Sequence, residues 1–401
     1  MSDSSISRRE SSRKRKAAQC SLGSGVDKPI PAASAANKQT MTAVFIERAG
    51  GPNALVPQEV ACPEPKLNAY EVLIRVAYIG VNRLDLEQRL EGLKGTDGKR
   101  FCPGLECSGV IEAVGEKVRH KVGDSVCAFL DSGGYTEKIV LPSWRVLCTP
   151  PDMDLRNAAC LPEAAYTGWS ALSRANLGQG KTILMQIHES CGDVAVFAIQ
   201  MAKYLRAKVF AAADSLKKQE FYKTLGADKC FNYRNADFVS LVQRQARETG
   251  GIDVVLDSWA INLRKNLKIL CNGGLLLYVD VHGFSLEVLQ IDSLMSKNAN
   301  IQVLCRSDKS IDSIQELKAS VWPAICAGHV KPFIYECYPL SQAAKAHKAM
   351  ERKYFFQRML SALGPWTSKL ERHVYTGMVE KCVTGKILLR VDSIEEVKRH
   401  S

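Results

Sequence analysis

Eight residues, His188-Glu189-Ser190-Cys191-Gly192-Asp193-Val194-Ala195, lie between an apolar run at 182–187 and a stretch of helical spacing. In that stretch Ala195, Ile199, Ala202 and Leu205 recur on one face, and a second apolar run follows at 208–213. A small-residue turn between a strand and a helix lets backbone N–H groups close on a pyrophosphate. This turn holds one glycine, Gly192, and two carboxylates, Glu189 and Asp193. A carboxylate about 4–5 Å from a phosphate repels it by roughly 1–4 kcal/mol, depending on the local dielectric. A missing glycine also limits how closely the backbone can approach. The architecture points to a nucleotide, and the side chains of the turn oppose one.

Other chemistry is more dispersed. Asp214 ends the second apolar run, where an acid can accept hydrogen bonds from ribose hydroxyls. Lys217, Lys218 and Arg234 add positive charge nearby, either for an extra phosphate or as a solvated face at a helix start. Histidine as a residue type titrates near neutrality, so His282 could donate a proton, although a lone loop histidine is more often exposed or satisfied in a core. The 14 cysteines include no Cys-x-x-Cys and no paired spacing. Such usage fits small buried hydrophobes in a reduced compartment, without a disulfide framework or a zinc site.

These residues need elements to hold them. From residue 41 short strands separated by glycine turns begin, at 42–47 and 71–77, and then past Pro103-Gly104, Gly123-Asp124 and Gly133-Gly134. Asn82-Arg83-Leu84-Asp85 opens a helix between them. This reads as a compact, barrel-like β domain. From residue 182, strands at 182–187, 208–213, 229–232, 252–257, 274–279 and 300–304 alternate with helices at 217–225, 237–249 and 262–271. That alternation predicts a doubly wound parallel sheet. The predicted division is 41–165 plus 327–401 for the catalytic domain and 166–326 for the nucleotide-binding domain.

A chain of 401 residues is long enough for two cores. No apolar run approaches the roughly 20 residues of a membrane helix. Of the formal charge of +12, residues 1–40 carry eight bases against three acids. That segment is Ser-, Ala-, Arg- and Lys-rich without apolar periodicity, and is expected to be disordered. It suits a nuclear address, a plastid transit peptide or a solvated tail. With no basic stripe interleaved with aromatics, nucleic-acid binding is not favoured.

In order along the chain, the motifs Asn82-Arg83-x-Asp85, Pro103-Gly104-x-Glu106-x-Ser108-Gly109, Gly123-Asp124-x-Val126 and Leu161-Pro162-Glu163 form a series. It continues with Leu225-Gly226-Ala227-Asp228, Asn232-Tyr233, Trp322-Pro323-Ala324-Ile325 and Pro339-Leu340-Ser341-Gln342-Ala343-Ala344-x-Ala346-His347-x-x-Met350-Glu351. The series resembles zinc-free quinone oxidoreductases of the medium-chain dehydrogenase/reductase superfamily, from about residue 41 to 355. The resemblance implies an α/β protein with a GroES-like β-rich catalytic domain and a Rossmann domain. It implies NADPH as cofactor, a quinone or α,β-unsaturated carbonyl as substrate, and a homodimer; a cytoplasmic location is expected, with plastid or nucleus, through the basic N-terminal extension, as alternatives.

The resemblance also assigns residues. Asn82 and Thr167 would serve the nicotinamide end and the reaction, joined by Gly283 in the loop after the fifth strand. Gly192 and Val194 would meet the pyrophosphate, and Ser215, Lys218 and Tyr233 the adenosine ribose and its 2′-phosphate. Asp85 would fix its loop. A tyrosine that the family often carries about eleven residues after the asparagine is absent; Leu93 and Lys94 occupy that region. Zinc-dependent relatives carry ligands where this chain has Asn82 and Leu105-Glu106, so no metal is expected. The family's closing strand has two candidates here, 354–360 and 385–391, and only one can pair in its place. The competing function is a reductase-fold scaffold whose cofactor site has decayed.

Overall fold

The computed structural model describes residues 39–63, 68–95, 100–186, 192–258, 263–279, 295, 297–304, 309–362 and 385–392. In the first part, β1 (Thr40–Ile46) and β2 (Leu55–Ala61) form an antiparallel pair. β3 (Glu71–Val81) is followed by α1 (Arg83–Glu91), β4 (Glu106–Val114), β5 (Ser125–Phe129), β6 (Lys138–Pro142) and β7 (Val146–Cys148). Two helices close this part, α2 (Leu155–Ala158) and α3 (Pro162–Arg174). Val72, Ile74, Val76, Ile79 and Val81 of β3 are buried in one core with Leu86, Ile111 and Tyr135. Removing such side chains from water, at about 1.5–3 kcal/mol each, is what fixes the strand's register.

The second part opens with β8 (Thr182–Gln186), α4 (Gly192–Tyr204), β9 (Lys208–Ala213), α5 (Leu216–Thr224), β10 (Lys229–Asn232) and α6 (Phe238–Ala246). It continues through β11 (Ile252–Asp257), α7 (Leu263–Ile269), β12 (Leu270–Val279) and β13 (Asn300–Leu304). The six strands form a parallel sheet in the order β10-β9-β8-β11-β12-β13. All five residues of β8 are buried, as expected of a central parallel strand covered on both faces. The chain winds outward from β8 through β10, then returns to β11. The carboxyl ends of β8 and β11 therefore flank the crevice where ligands of such sheets bind.

Then come α8 (Ile311–Ser320), α9 (Trp322–Cys326), β14 (Ile334–Pro339), α10 (Ala343–Ala362) and β15 (Lys386–Arg390). The chain here rejoins its beginning: a seven-stranded sheet runs β14-β15-β3-β4-β5-β7, with β6 also on β3. β15 pairs antiparallel with β3, Ile387 opposite Val81, and parallel with β14.

One open alternative is decided and one expectation changes. Residues 354–360 are not a strand but belong to α10, and 386–390 takes the place beside β3. The reason is burial on both faces: Ile387 and Leu389 enter the β3 core, while Leu388 packs with Ala159 and Cys160. The helix expected over 262–271 ends at Ile269, because Leu270 already pairs with Ile252 of β11. An irregularity then carries the strand past Gly273, which adopts φ +74°. The ten cysteines among the described residues are free thiols, and no helix there is long and apolar enough to cross a membrane.

Candidate functional site

Asn82 follows β3 and caps α1. Its backbone N–H donates to Asp85 Oδ2 at 2.8 Å, and Gly104 N–H donates to Asp85 Oδ1 at 3.0 Å. One carboxylate therefore pins two loops and sets where the Asn82 side chain points. That side chain donates from Nδ2 to Glu106 Oε1 at 3.0 Å and accepts at Oδ1 from Lys386 Nζ at 2.7 Å.

Glu106, at the start of β4, is fully buried. Its Oε2 accepts the backbone N–H of Glu163 at 2.9 Å, capping the first turn of α3. Burial pushes the Glu106 carboxyl above the ordinary carboxylate range, and Lys386 opposes that shift. Gly80 makes the room: a Cβ there would lie 2.1 Å from Glu106 Oε1.

Lys386, the first residue of β15, joins these groups to the parallel sheet. Its ammonium is 2.6 Å from Glu106 Oε1 and 2.5 Å from Asp193 Oδ2. Burial alone would pull its pKa down, but Asp193 and Glu106 hold it above the usual lysine value. Asp193 is the second residue of α4, where the helix dipole also favours an anion. The repulsion expected from this carboxylate is thus corrected: Asp193 is ion-paired, not an uncompensated charge. Glu189 lies outside the described residues. Beside Asp193, Gly192 and Val194 are buried.

Thr167 lies on α3 four residues after Glu163, and so on the same helix face. α3 and α4 approach closely, since a Cβ on Gly168 would fall 2.4 Å from a Phe197 ring carbon. At the carboxyl ends of β8 and β11 a buried polar chain runs from Gln186 to Asn266 at 2.5 Å, then from Asn266 to Asp257 at 2.7 Å.

The second cluster surrounds the end of β9. Ser215 caps α5, its Oγ accepting Lys218 N–H at 3.3 Å. Lys218 Nζ donates to Asp214 Oδ1 at 2.8 Å, and both side chains are buried. The two residues that favour opposite cofactors therefore form one pair. Tyr233 donates its N–H to Ala213 O at 3.2 Å, and the Arg234 guanidinium lies 5.9 Å from the tyrosine ring. Burial, followed by Asp214, holds the Tyr233 hydroxyl above its usual pKa. Gly283 and His282 lie outside the described residues.

Sequence reasoning placed Asn82, Thr167, Gly192 and Val194 on the elements that this network joins, and Ser215, Lys218 and Tyr233 around β9. It missed Glu106 as the hub, together with Lys386 and Asn266. A signal existed for Lys386: a lone cation opening the fully apolar run Ile387-Leu388-Leu389 must be solvated by something else.

Comparison with known proteins agrees with this architecture. Residues 68–151 match the alcohol dehydrogenase GroES-like domain and residues 225–354 the zinc-binding dehydrogenase family. Quinone oxidoreductase of Sus scrofa is 31% identical over 322 residues, covering 78% of this chain and 95% of its own. An NAD-dependent alcohol dehydrogenase superposes with a TM-score of 0.72 at 25% identity, over 88% of this chain and 100% of its own. Escherichia coli quinone oxidoreductase complexed with NADPH shares the fold, with a TM-score of 0.68 at 21% identity over 87% and 99% of the two chains. The chain belongs to the quinone oxidoreductase-like proteins of the medium-chain dehydrogenase/reductase superfamily.

Proposed function

We propose that this protein is an NADPH-dependent, zinc-independent oxidoreductase that reduces a quinone or an α,β-unsaturated carbonyl. The observation that carries the reading is the bridge in which Lys386 joins Asn82 and Glu106 on one side to Asp193, at the start of α4, on the other. It places a cation beside the helix N-terminus that opens the nucleotide crevice, and ties it to the sheet that bears Asn82. The residues fit a dinucleotide: a 13-residue helix presents its first turn there, with Gly192 and Val194 packed beneath.

NADPH, when bound, supplies the hydride. The chain's own groups then have separate tasks. Gly192, Val194 and the α4 N-terminus hold the pyrophosphate, and Lys386 offsets the charge of Asp193. Ser215, Lys218 and Tyr233 hold the adenosine ribose and its phosphate. Asn82, Thr167 and Gly283 orient the nicotinamide. Asn82 and Glu106 direct their oxygens at an ammonium, which serves the charge role that a zinc ion would otherwise take. The same reading takes the protein as a cytoplasmic homodimer.

The test is NADPH oxidation by full-length protein against a panel of quinones and enones in the presence of a chelator. Turnover that the chelator leaves intact supports the reading, and absence of turnover on every acceptor opposes it. One observation favours a second reading, a binding scaffold of the same fold. Lys218 and Lys386 are already paired internally with Asp214, Glu106 and Asp193. A scaffold would leave both nicotinamide cofactors unbound.

A further inference from the structure

Apart from these clusters, three side chains of different chemistry converge where the β4–β5 connection meets β7. His120, Asp124 and Cys148 each offer one donor atom, and the three atoms lie within 4.8 Å of one another. His120 Nδ1 and Cys148 Sγ are 3.4 Å apart. Ligands bound at 2.0–2.3 Å to a tetrahedral ion sit about 3.3–3.8 Å from each other. The imidazole and thiol are thus already spaced as two ligands of one ion. The carboxylate of Asp124 lies no more than 4.8 Å from either donor.

The backbone holds two of the donors, Asp124 and Cys148, in place. Lys121 N–H donates to Asp124 Oδ2 at 2.8 Å, and Ile111 N–H to Asp124 O at 3.1 Å. Cys148 sits in register opposite Val126 of β5, and its carbonyl accepts Trp322 Nε1–H at 2.9 Å. These two positions come from sheet register and a hydrogen-bonded turn. A site fixed in this way loses little conformational freedom on binding.

We infer that His120, Asp124 and Cys148 form a surface site for a divalent transition metal, with Zn²⁺ as the fitting ion. A nitrogen, a sulfur and an oxygen donor suit a borderline-soft cation, whereas Mg²⁺ and Ca²⁺ take oxygen ligands. Three protein ligands leave one position for water or an exogenous ligand. None of the three belongs to the Asn82–Glu106–Lys386–Asp193 cluster, so the site does not depend on the proposed reduction. Through the Cys148 carbonyl and Trp322 it instead touches the contact between β7 and α9.

The test is competition for Zn²⁺ between full-length, chelator-stripped protein and a chromophoric chelator, with Co²⁺ absorption as a second readout. One equivalent bound with Kd below about 1 µM, and a thiolate-to-cobalt charge-transfer band, are expected. Cys148→Ser should abolish the band, and both Cys148→Ser and His120→Gln should weaken Zn²⁺ at least about tenfold. Both positions are at least partly exposed, so the variants should melt as wild type does without metal. Cys326, the other exposed thiol among the described residues, is the control, and Cys326→Ser should change nothing. Absence of a stoichiometric site, or binding that survives both substitutions, would overturn the inference.

Discussion

Lys386 Nζ lies 2.5 Å from Asp193 Oδ2, so the last strand of one sheet holds the first turn of a helix on the other. The pair is separated by 193 residues of sequence. It is completed by Glu106, which has no exposed surface.

Removing the cation leaves Glu106 and Asp193 facing each other across a buried gap. Lys386→Met should therefore cost about 3–5 kcal/mol, the usual penalty for breaking a buried pair from one side. Asp193→Asn keeps the Lys386–Glu106 pair and should cost about 1 kcal/mol. Urea midpoints of the two variants decide this. Equal midpoints would mean that Lys386 is not the keystone of the cluster.

Gly80 is required by a close approach. Gly80→Ala drives a methyl group into the Glu106 carboxylate, where the Cβ would be 2.1 Å from Oε1. Overpacking of this kind costs about 1–3 kcal/mol. Cofactor affinity should fall as well, because Asn82 and Lys386 both lean on that carboxylate. A variant with wild-type melting and wild-type binding would refute this.

At the β9 end, Asp214 and Lys218 restrain each other. Asp214→Ser should release the ammonium and raise the NADPH-to-NADH affinity ratio by about tenfold, or about 1.4 kcal/mol. Lys218→Met should lower the ratio. Titrations of both cofactors into each variant are the check, and an unchanged ratio would remove this pair from cofactor choice.

His347 gives the stability a pH dependence. It is buried between Arg89, whose Nη1 is 3.3 Å from Nδ1, and Tyr135, whose hydroxyl is 2.9 Å from Nε2 and faces Asp85. Burial first, and Arg89 second, lower its pKa to about 3. The folded protein thus keeps this ring neutral, while the unfolded chain protonates it near 6.5. Between pH 3 and 6.5 the unfolded state binds more protons, so stability falls as the pH falls through that window and is flat above it. The slope from this group is roughly 1 kcal/mol per pH unit. His347→Gln should flatten it, as read from urea midpoints at pH 5 and pH 7.

Much of the fold was legible because its signals are local. Strands β9, β10, β11 and β13 have the bounds expected from apolar runs of strand length. The small-residue turn reads through Ala195 in the sequence, while α4 already begins at Gly192. Legibility failed where the deciding contact is remote. Tyr354-Phe355-Phe356 suits a strand by composition, and only the place taken by Ile387 beside Val81 excludes it. Asp193 looked hostile to an anion because its partner lies at Lys386, at the far end of the sequence. Lys218 looked like a phosphate ligand, and its engagement with Asp214 becomes visible only when β9 and α5 are folded.

Calorimetric titration of NADPH into full-length protein asks whether this crevice holds a nicotinamide cofactor. Saturable binding in the micromolar range, tighter than that of NADH and lost in Lys386→Met, is expected. A folded wild-type sample that binds neither cofactor would contradict it and leave the scaffold.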